Sequence, residues 1–162
     1  MESCSFTGHR KISAQHEKKL FELLCRGIEY AYASGCRKFF LGGALGFDTM
    51  AAKCVIQKRM EHRDIQLILL IPCMNQSERW SHKDRDMYDY ILSSANEVIY
   101  VSDGEYTDNC MRLRNKMLAE SGDMLIAYAS RSRSGAGQTV RMAEALGKTV
   151  YNLYASCESA VD

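Results

Sequence analysis

The sequence is poor in the features that would place it in a specialised class. It holds one proline, so no proline-rich linker divides it, and no apolar run approaches the length of a membrane span. Lysine and arginine (21) nearly balance aspartate and glutamate (20), for a formal net charge of +1. The broad basic field of a general nucleic-acid coat is therefore missing, although a local basic pocket is compatible with that balance. The seven cysteines, Cys4, Cys25, Cys36, Cys54, Cys73, Cys110 and Cys157, are scattered and never spaced as CxxC. That pattern favours small buried thiols in a reducing cytoplasm over a disulfide framework or a zinc site. The N-terminus, "MESCSFTGHR", lacks the charged start and long apolar core of a signal peptide. These absences leave a cytoplasmic globular protein, with no membrane contact, metal or cofactor expected.

What is present is alternation. Short apolar runs at 3–7, 38–41, 66–72, 97–101, 123–129 and 149–154 read as strands, several of them apolar enough to be buried on both faces. Between them lie segments of helical period. Leu20, Leu24, Gly27, Ile28 and Ala31 share one face of the first, and residues 48–62, 84–94, 110–121 and 137–147 supply the others. Such alternation predicts right-handed βαβ crossovers: an α/β, Rossmann-like, doubly wound and mainly parallel sheet with helices on both faces. Pro72 closes the third run, where its missing N–H costs no central ladder bond. Residues 1–154 form one domain, and 155–162 a frayed or short terminal segment.

An open parallel sheet binds its ligand at the carboxyl ends of its strands. Four loops fall there: "TGHR" (7–10), "GGALGFD" (42–48), "PCMNQSERW" (72–80) and "SRSRSGAGQT" (130–139). Their glycines and hydroxyl residues expose backbone N–H groups, while His9, Arg10, Arg79, Arg131 and Arg133 supply donors or charge. Amides at a helix N-terminus with guanidinium groups nearby suit a phosphate or pyrophosphate. Each motif also has a plainer reading. Gly42, Gly43 and Gly46 serve a tight strand-to-helix turn. Asp48 is a first-turn acid favoured by the helix dipole, or else it bonds a ribose hydroxyl. Trp80 is more often a core or interface anchor than a stacking platform, and Cys73 is packing, with no neighbouring histidine and acid to make it a nucleophile.

"TGHR", "GGALGFD", "IPC", "RNKML" and "SGAGQT", in this order across almost the whole chain, resemble the small bacterial and phage proteins of the SLOG superfamily. These are Rossmann-like relatives of DNA-processing protein A and of the Lonely Guy phosphoribohydrolases. The resemblance implies a nucleotide-derived ligand. The ligand-binding candidates are Thr7, Gly8, His9 and Arg10; Gly42, Gly43, Gly46 and Asp48; Arg79; Arg114 and Asn115; and Ser134, Gly135, Ala136, Gly137, Gln138 and Thr139. It also implies a homodimer or larger assembly, for which Met111, Met117 and Leu118, or Met87, Tyr90 and Ile91, offer apolar faces; the alternative is that these faces cover the protein's own sheet.

In the phosphoribohydrolases an arginine and a glutamate form the catalytic pair. Arg114 in "RNKML" matches the arginine. The glutamate, expected two residues after Thr139, is replaced by Arg141, and Glu144 sits a helical rotation of about 140° from that threonine. Cleavage through an oxocarbenium-like state wants a well-placed carboxylate, so the leading expectation is capture without turnover: sensing or sequestering an ADP-ribose-type or cyclic nucleotide signal, as a phage anti-defence sponge would. With no effector segment evident, a sensor of this length would pass its signal to a partner. The alternative is a nucleotide N-glycosidase or phosphohydrolase using Arg114 with an acid not identified in the sequence. Single-stranded DNA binding ranks third, for want of a basic, aromatic groove.

Overall fold

The computed structural model describes residues 1–130 and 133–159. Six strands, β1 (Ser3–Gly8), β2 (Lys38–Leu41), β3 (Gln66–Ile71), β4 (Glu97–Tyr100), β5 (Met124–Tyr128) and β6 (Thr149–Asn152), form one sheet of order β4-β3-β2-β1-β5-β6. Every pairing is parallel. The helices are α1 (Glu17–Ala33), α2 (Phe47–Glu61), α3 (His82–Ser94), α4 (Asp108–Ser121), α5 (Gly135–Ala145) and α6 (Tyr154–Ser159). Among the described residues, no helix is long and apolar enough to cross a membrane.

The strands pack both faces, which is why they read as near-continuous apolar runs. In β3, Leu67, Leu69 and Ile71 join the large core under α1 and α2, while Ile68 and Leu70 turn to Leu118 of α4 on the other face. β5 repeats this: Met124, Ile126 and Tyr128 face the large core, and Leu125 and Ala127 meet Ala119 and Ala143 of α4 and α5. Small residues on that second face let α4 and α5 lie close to each other and to the sheet. All seven cysteines are free, and only Cys25 is not buried. Trp80 packs edge-on against Tyr88, ring centroids 5.1 Å apart, at the margin of the large core. Of the faces considered for assembly, Leu118 and Ile91 are buried in the protein's own fold, while Tyr90 is exposed.

Beyond β6 the chain forms α6, with Cys157 fully buried in the large core. Asn152 makes the turn. Its side chain exchanges bonds with the Ala129 backbone (2.9 and 3.2 Å) and accepts the Tyr154 N–H at 3.2 Å.

The chain builds β1 to β4 outward in one direction, then returns to place β5 on the far side of β1. The strand order therefore reverses between β1 and β5. Their carboxyl ends open onto the crevice where such sheets bind ligands.

Candidate functional site

That crevice is a cavity of about 580 Å³, within the range typical of small-molecule sites, about 300 to 1,000 Å³. Thr7, Gly8, His9 and Arg10 reach it from the end of β1. Asp48 comes from α2, Arg114 and Asn115 from α4, and Ser134, Gly135, Ala136 and Gln138 from the start of α5. Segments distant in sequence thus converge because the sheet reverses here.

Asp48 and Arg114 are the buried charges of the cavity, 4% and 5% exposed. Arg114 is held from two sides: Nη1 donates to the Gly42 carbonyl at 2.6 Å and Nε to Asn115 Oδ1 at 3.0 Å. A Cβ at Gly42 would strike the Arg114 guanidinium and lie 3.1 Å from Asp48 Oδ2. The glycine is what lets arginine and carboxylate share this space. Asp48 Oδ2 accepts the Ala44 N–H at 3.1 Å. Its Oδ1 is buried and has no hydrogen-bond partner among the described residues.

An unpartnered carboxylate oxygen in a low-dielectric site is costly. Burial pushes the Asp48 carboxyl above the ordinary carboxylate range, with Arg114 and the Ala44 amide opposing. Burial likewise lowers the Arg114 pKa, with Asp48 opposing. Each charge favours the other, yet desolvation dominates for both. A hydroxyl donor delivered to Oδ1 would relieve that penalty.

The opposite wall is the N-terminus of α5. Ser134 caps it by accepting the Gly137 N–H at 3.0 Å, and the Gln138 N–H goes to the Ser134 carbonyl at 2.9 Å. The Gly135 and Ala136 amides remain at the dipole's positive end, where an anion is favoured. Asn115 Nδ2 donates to the Gly135 carbonyl at 3.4 Å, tying this turn to the helix that carries Arg114.

His9 holds the first loop to the segment after β5. Its Nε2 accepts the Ser130 N–H at 2.8 Å and lies 3.0 Å from Ser130 Oγ. That acceptor role fixes the proton of the neutral ring on Nδ1, and burial lowers the His9 pKa below the ordinary histidine value. The neutral ring thus contributes stability that is present above the unfolded value, about 6.5, and lost as pH falls through the lower folded one. Thermal melts between neutral and mildly acidic pH should show the parent losing more stability than His9→Ala over that window.

Other candidate residues serve the site from behind or stand beside it. Gly46 has φ +74°, and its missing Cβ makes room for the Arg10 carbonyl. This places the β1 loop against α2, where the Phe47 N–H donates to the His9 carbonyl at 3.1 Å. A Cβ on Gly43 would point at Ile71 and Tyr88, into the core and not into the cavity. Gly137 is buried in the first turn of α5. Thr139 is fully buried and its hydroxyl donates to the Gly135 carbonyl at 3.0 Å, so it supports the turn from within the helix. Arg79 is exposed and lines an adjoining groove with Arg10. Arg133 and Arg141 line another groove outside the α5 turn, and Glu144 is exposed. Arg131 lies outside the described residues.

The sequence reading missed a wall of the cavity: Tyr106, Asp108, Met111 and Arg112, from the loop after β4 and the first turns of α4. That loop also sits at the carboxyl edge of the sheet, a signal that would have found it. Its sequence, "VSDGEYTD", carries neither an arginine nor a glycine cluster.

The model of the YspA SLOG family matches residues 7–155. The chain belongs to that family. The match runs from the end of β1 through β6, so the motif resemblance and the Rossmann-like architecture stand together. A UPF0398 protein of Bacillus cereus (strain B4264) is 28% identical over 119 residues, covering 73% of this chain and 60% of the relative. One from Bacillus thuringiensis (strain Al Hakam) is 28% identical over 102 residues, covering 62% and 55%. The chain thus spans less than two thirds of the length of these curated relatives. Among solved structures, DNA processing protein A from Streptococcus pneumoniae superposes with a TM-score of 0.71 at 19% identity, covering 99% of this chain and 56% of that one. The protein of that name from Helicobacter pylori, described with a single-stranded DNA binding mode, gives 0.66 at 19%, covering 92% and 63%. At that identity the likeness is one of fold.

Proposed function

We propose that this SLOG-family chain captures a phosphorylated ribose compound, a nucleotide or nucleotide derivative, in the crevice between β1 and β5. The observation that carries the reading is the buried Asp48 with its unpartnered Oδ1, opposite the α5 amides in the same cavity. A carboxylate repels phosphate but accepts a ribose hydroxyl. The Gly135 and Ala136 amides, with Arg10, suit the phosphate. A phosphorylated ribose presents both chemistries a few ångströms apart.

Capture without turnover fits the α5 helix, which carries Arg141 and an exposed Glu144 and turns no carboxylate into the cavity. Such binding suits sensing a signalling nucleotide, or holding it out of circulation as a phage sponge does. One observation favours hydrolysis instead: Asp48 supplies, beside Arg114, the acid that the sequence alone did not identify. Product analysis separates the two readings.

The test titrates AMP, adenosine and ribose 5-phosphate into the parent and Asp48→Asn by calorimetry. AMP is expected to bind the parent, adenosine far more weakly, and Asp48→Asn to lose roughly tenfold or more in AMP affinity. Equal binding of AMP by both proteins removes Asp48 from the site, and no binding of any phosphorylated compound removes the reading. The same variant carries a stability signature. Because the folded Asp48 pKa is raised, the parent's stability relative to Asp48→Asn is greatest below the unfolded value, about 3.9. It declines as pH rises through the folded value, so the stability difference is expected to shift in the variant's favour between acidic and neutral pH.

A further inference from the structure

The α5 turn has an outer side as well as the one that faces the cavity. A groove of about 590 Å³ runs along it, lined among the described residues by Arg133, Ser134, Gly135, Gln138 and Arg141. Ser134, Gly135 and Gln138 also line the β1 to β5 cavity. The two spaces therefore meet across the first turn of the helix, at the amides that suit a phosphate. Local structure gathers the basic groups there. Arg133 immediately precedes the Ser134 cap, and Gln138 and Arg141, three residues apart, share a face of α5.

The long polar side chains of this groove are uncommitted. Arg133 and Arg141 are exposed, and neither makes a side-chain hydrogen bond or ion pair among the described residues. Glu144, one turn beyond Arg141, is not paired with it, and the Gln138 side-chain amide bonds nothing among those residues. No acid lines the groove among the described residues, so two like charges stand together without a counter-charge. Two planar guanidiniums and an amide beside a helix N-terminus match a dianionic group that accepts several hydrogen bonds. A sugar or an apolar ring would leave both charges unanswered.

We infer that this outer groove takes the terminal phosphate of a nucleoside 5′-diphosphate whose first phosphate lies on the Gly135 and Ala136 amides. This rests on the reading that the Asp48 cavity holds a nucleotide. The second phosphate passes over the lip formed by Ser134 and Gly135, from the cavity into the groove. Arg133 and Arg141 then distinguish two phosphates from one, each through a charge-assisted contact. Arg141, two residues after Thr139, faces the groove and not the cavity, so what α5 offers at that position is a contact to phosphate. Because both arginines are exposed, their contribution is screened by salt.

The experiment titrates AMP and ADP, in magnesium-free buffer, into the parent, Arg133→Ala, Arg141→Ala and the double variant by calorimetry. Arg63→Ala, at an exposed arginine in the loop that enters β3, controls for net charge. All these side chains are exposed, and circular dichroism confirms that each variant is folded. The parent is expected to bind ADP at least tenfold more tightly than AMP. Each single substitution in the groove should lower that gain and the double variant should erase it, with AMP affinity unchanged throughout. Arg63→Ala should keep the gain, and added salt should shrink it in the parent. If the parent binds AMP but gains nothing from the second phosphate, the inference is overturned while the nucleotide reading stands. The same holds if the double variant keeps the gain, or if Arg63→Ala loses as much of it. If neither probe binds the parent, the nucleotide reading itself fails and the inference with it. An oligothymidylate that displaces ADP and loses affinity in the double variant overturns the inference in favour of a strand-binding groove.

Discussion

Arg114→Ala is expected to bring nucleotide binding down by a hundredfold or more, the largest functional effect of any single change. The side chain spans the site: it donates to the Gly42 carbonyl and to Asn115, and its charge opposes the desolvation of Asp48. Losing one charge-assisted contact costs about 1.5 to 3 kcal/mol, roughly tenfold to a hundredfold in affinity. Here Asp48 also loses its cation and protonates more readily, weakening it as an acceptor for a ribose hydroxyl. Stability should fall by about 1 to 3 kcal/mol, because the Gly42 carbonyl is left without its donor. Arg114→Lys keeps a charge but not the planar fork that reaches two partners at once, so it should recover only part of both losses. Calorimetry gives the affinities and urea unfolding the stabilities. Parent-like AMP binding in Arg114→Ala would place the ligand elsewhere.

The largest effect on folding is expected at Gly46. Its φ of +74° is one that L residues rarely adopt, and any Cβ there meets the carbonyl group of Arg10, a backbone atom that cannot swing aside. Gly147 provides the comparison, with φ +76° and nothing within 4 Å of its Cβ direction. Gly147→Val therefore isolates the cost of the backbone conformation, about 1 to 2 kcal/mol. Gly46→Val adds overpacking to that cost and should lose roughly 3 kcal/mol or more. It should also part the β1 loop from α2, since the Phe47 to His9 bond lies at the same contact. Urea midpoints of the two variants measure the difference. Equal losses would mean that the chain relaxes around Arg10 and that Gly46 is only a turn former.

These two residues mark what the sequence made legible. The strands were readable because a parallel sheet covered on both faces needs apolar side chains on both, as in "QLILLI". The loops at their carboxyl ends followed from topology, and with them Arg10 and the α5 turn, whereas Arg114 came only from the motif resemblance of "RNKML". Strand order was not readable, since nothing in local pattern says on which side of β1 the chain returns. Nor was the burial of Asp48: a first-turn acid looks the same in sequence whether it faces water or a cavity.

Thr139 misled for a related reason. A threonine after "SGAGQ" advertises a hydroxyl, but inside the helix that hydroxyl is spent on the Gly135 carbonyl. Arg79 reads with Arg10 by residue type, but only the fold shows that Arg10 borders both the main cavity and the adjoining groove, while Arg79, of these two spaces, borders the groove alone. The end of the chain reads as a frayed or short segment because only one of its described residues, Cys157, reaches the core. A single buried position leaves no periodicity to detect.

We propose that the β1 to β5 crevice captures a phosphorylated ribose compound and releases it unchanged. The most direct measurement incubates the purified parent, Asp48→Asn and Arg114→Ala with a nucleotide-rich cell extract, removes unbound material, denatures each protein and identifies what is released by mass spectrometry. An intact nucleotide derivative is expected from the parent, close to one per chain, and little or none from either variant. Retention of the same compound by all three proteins, or free base and ribose phosphate accumulating in many-fold excess over the parent, would contradict it.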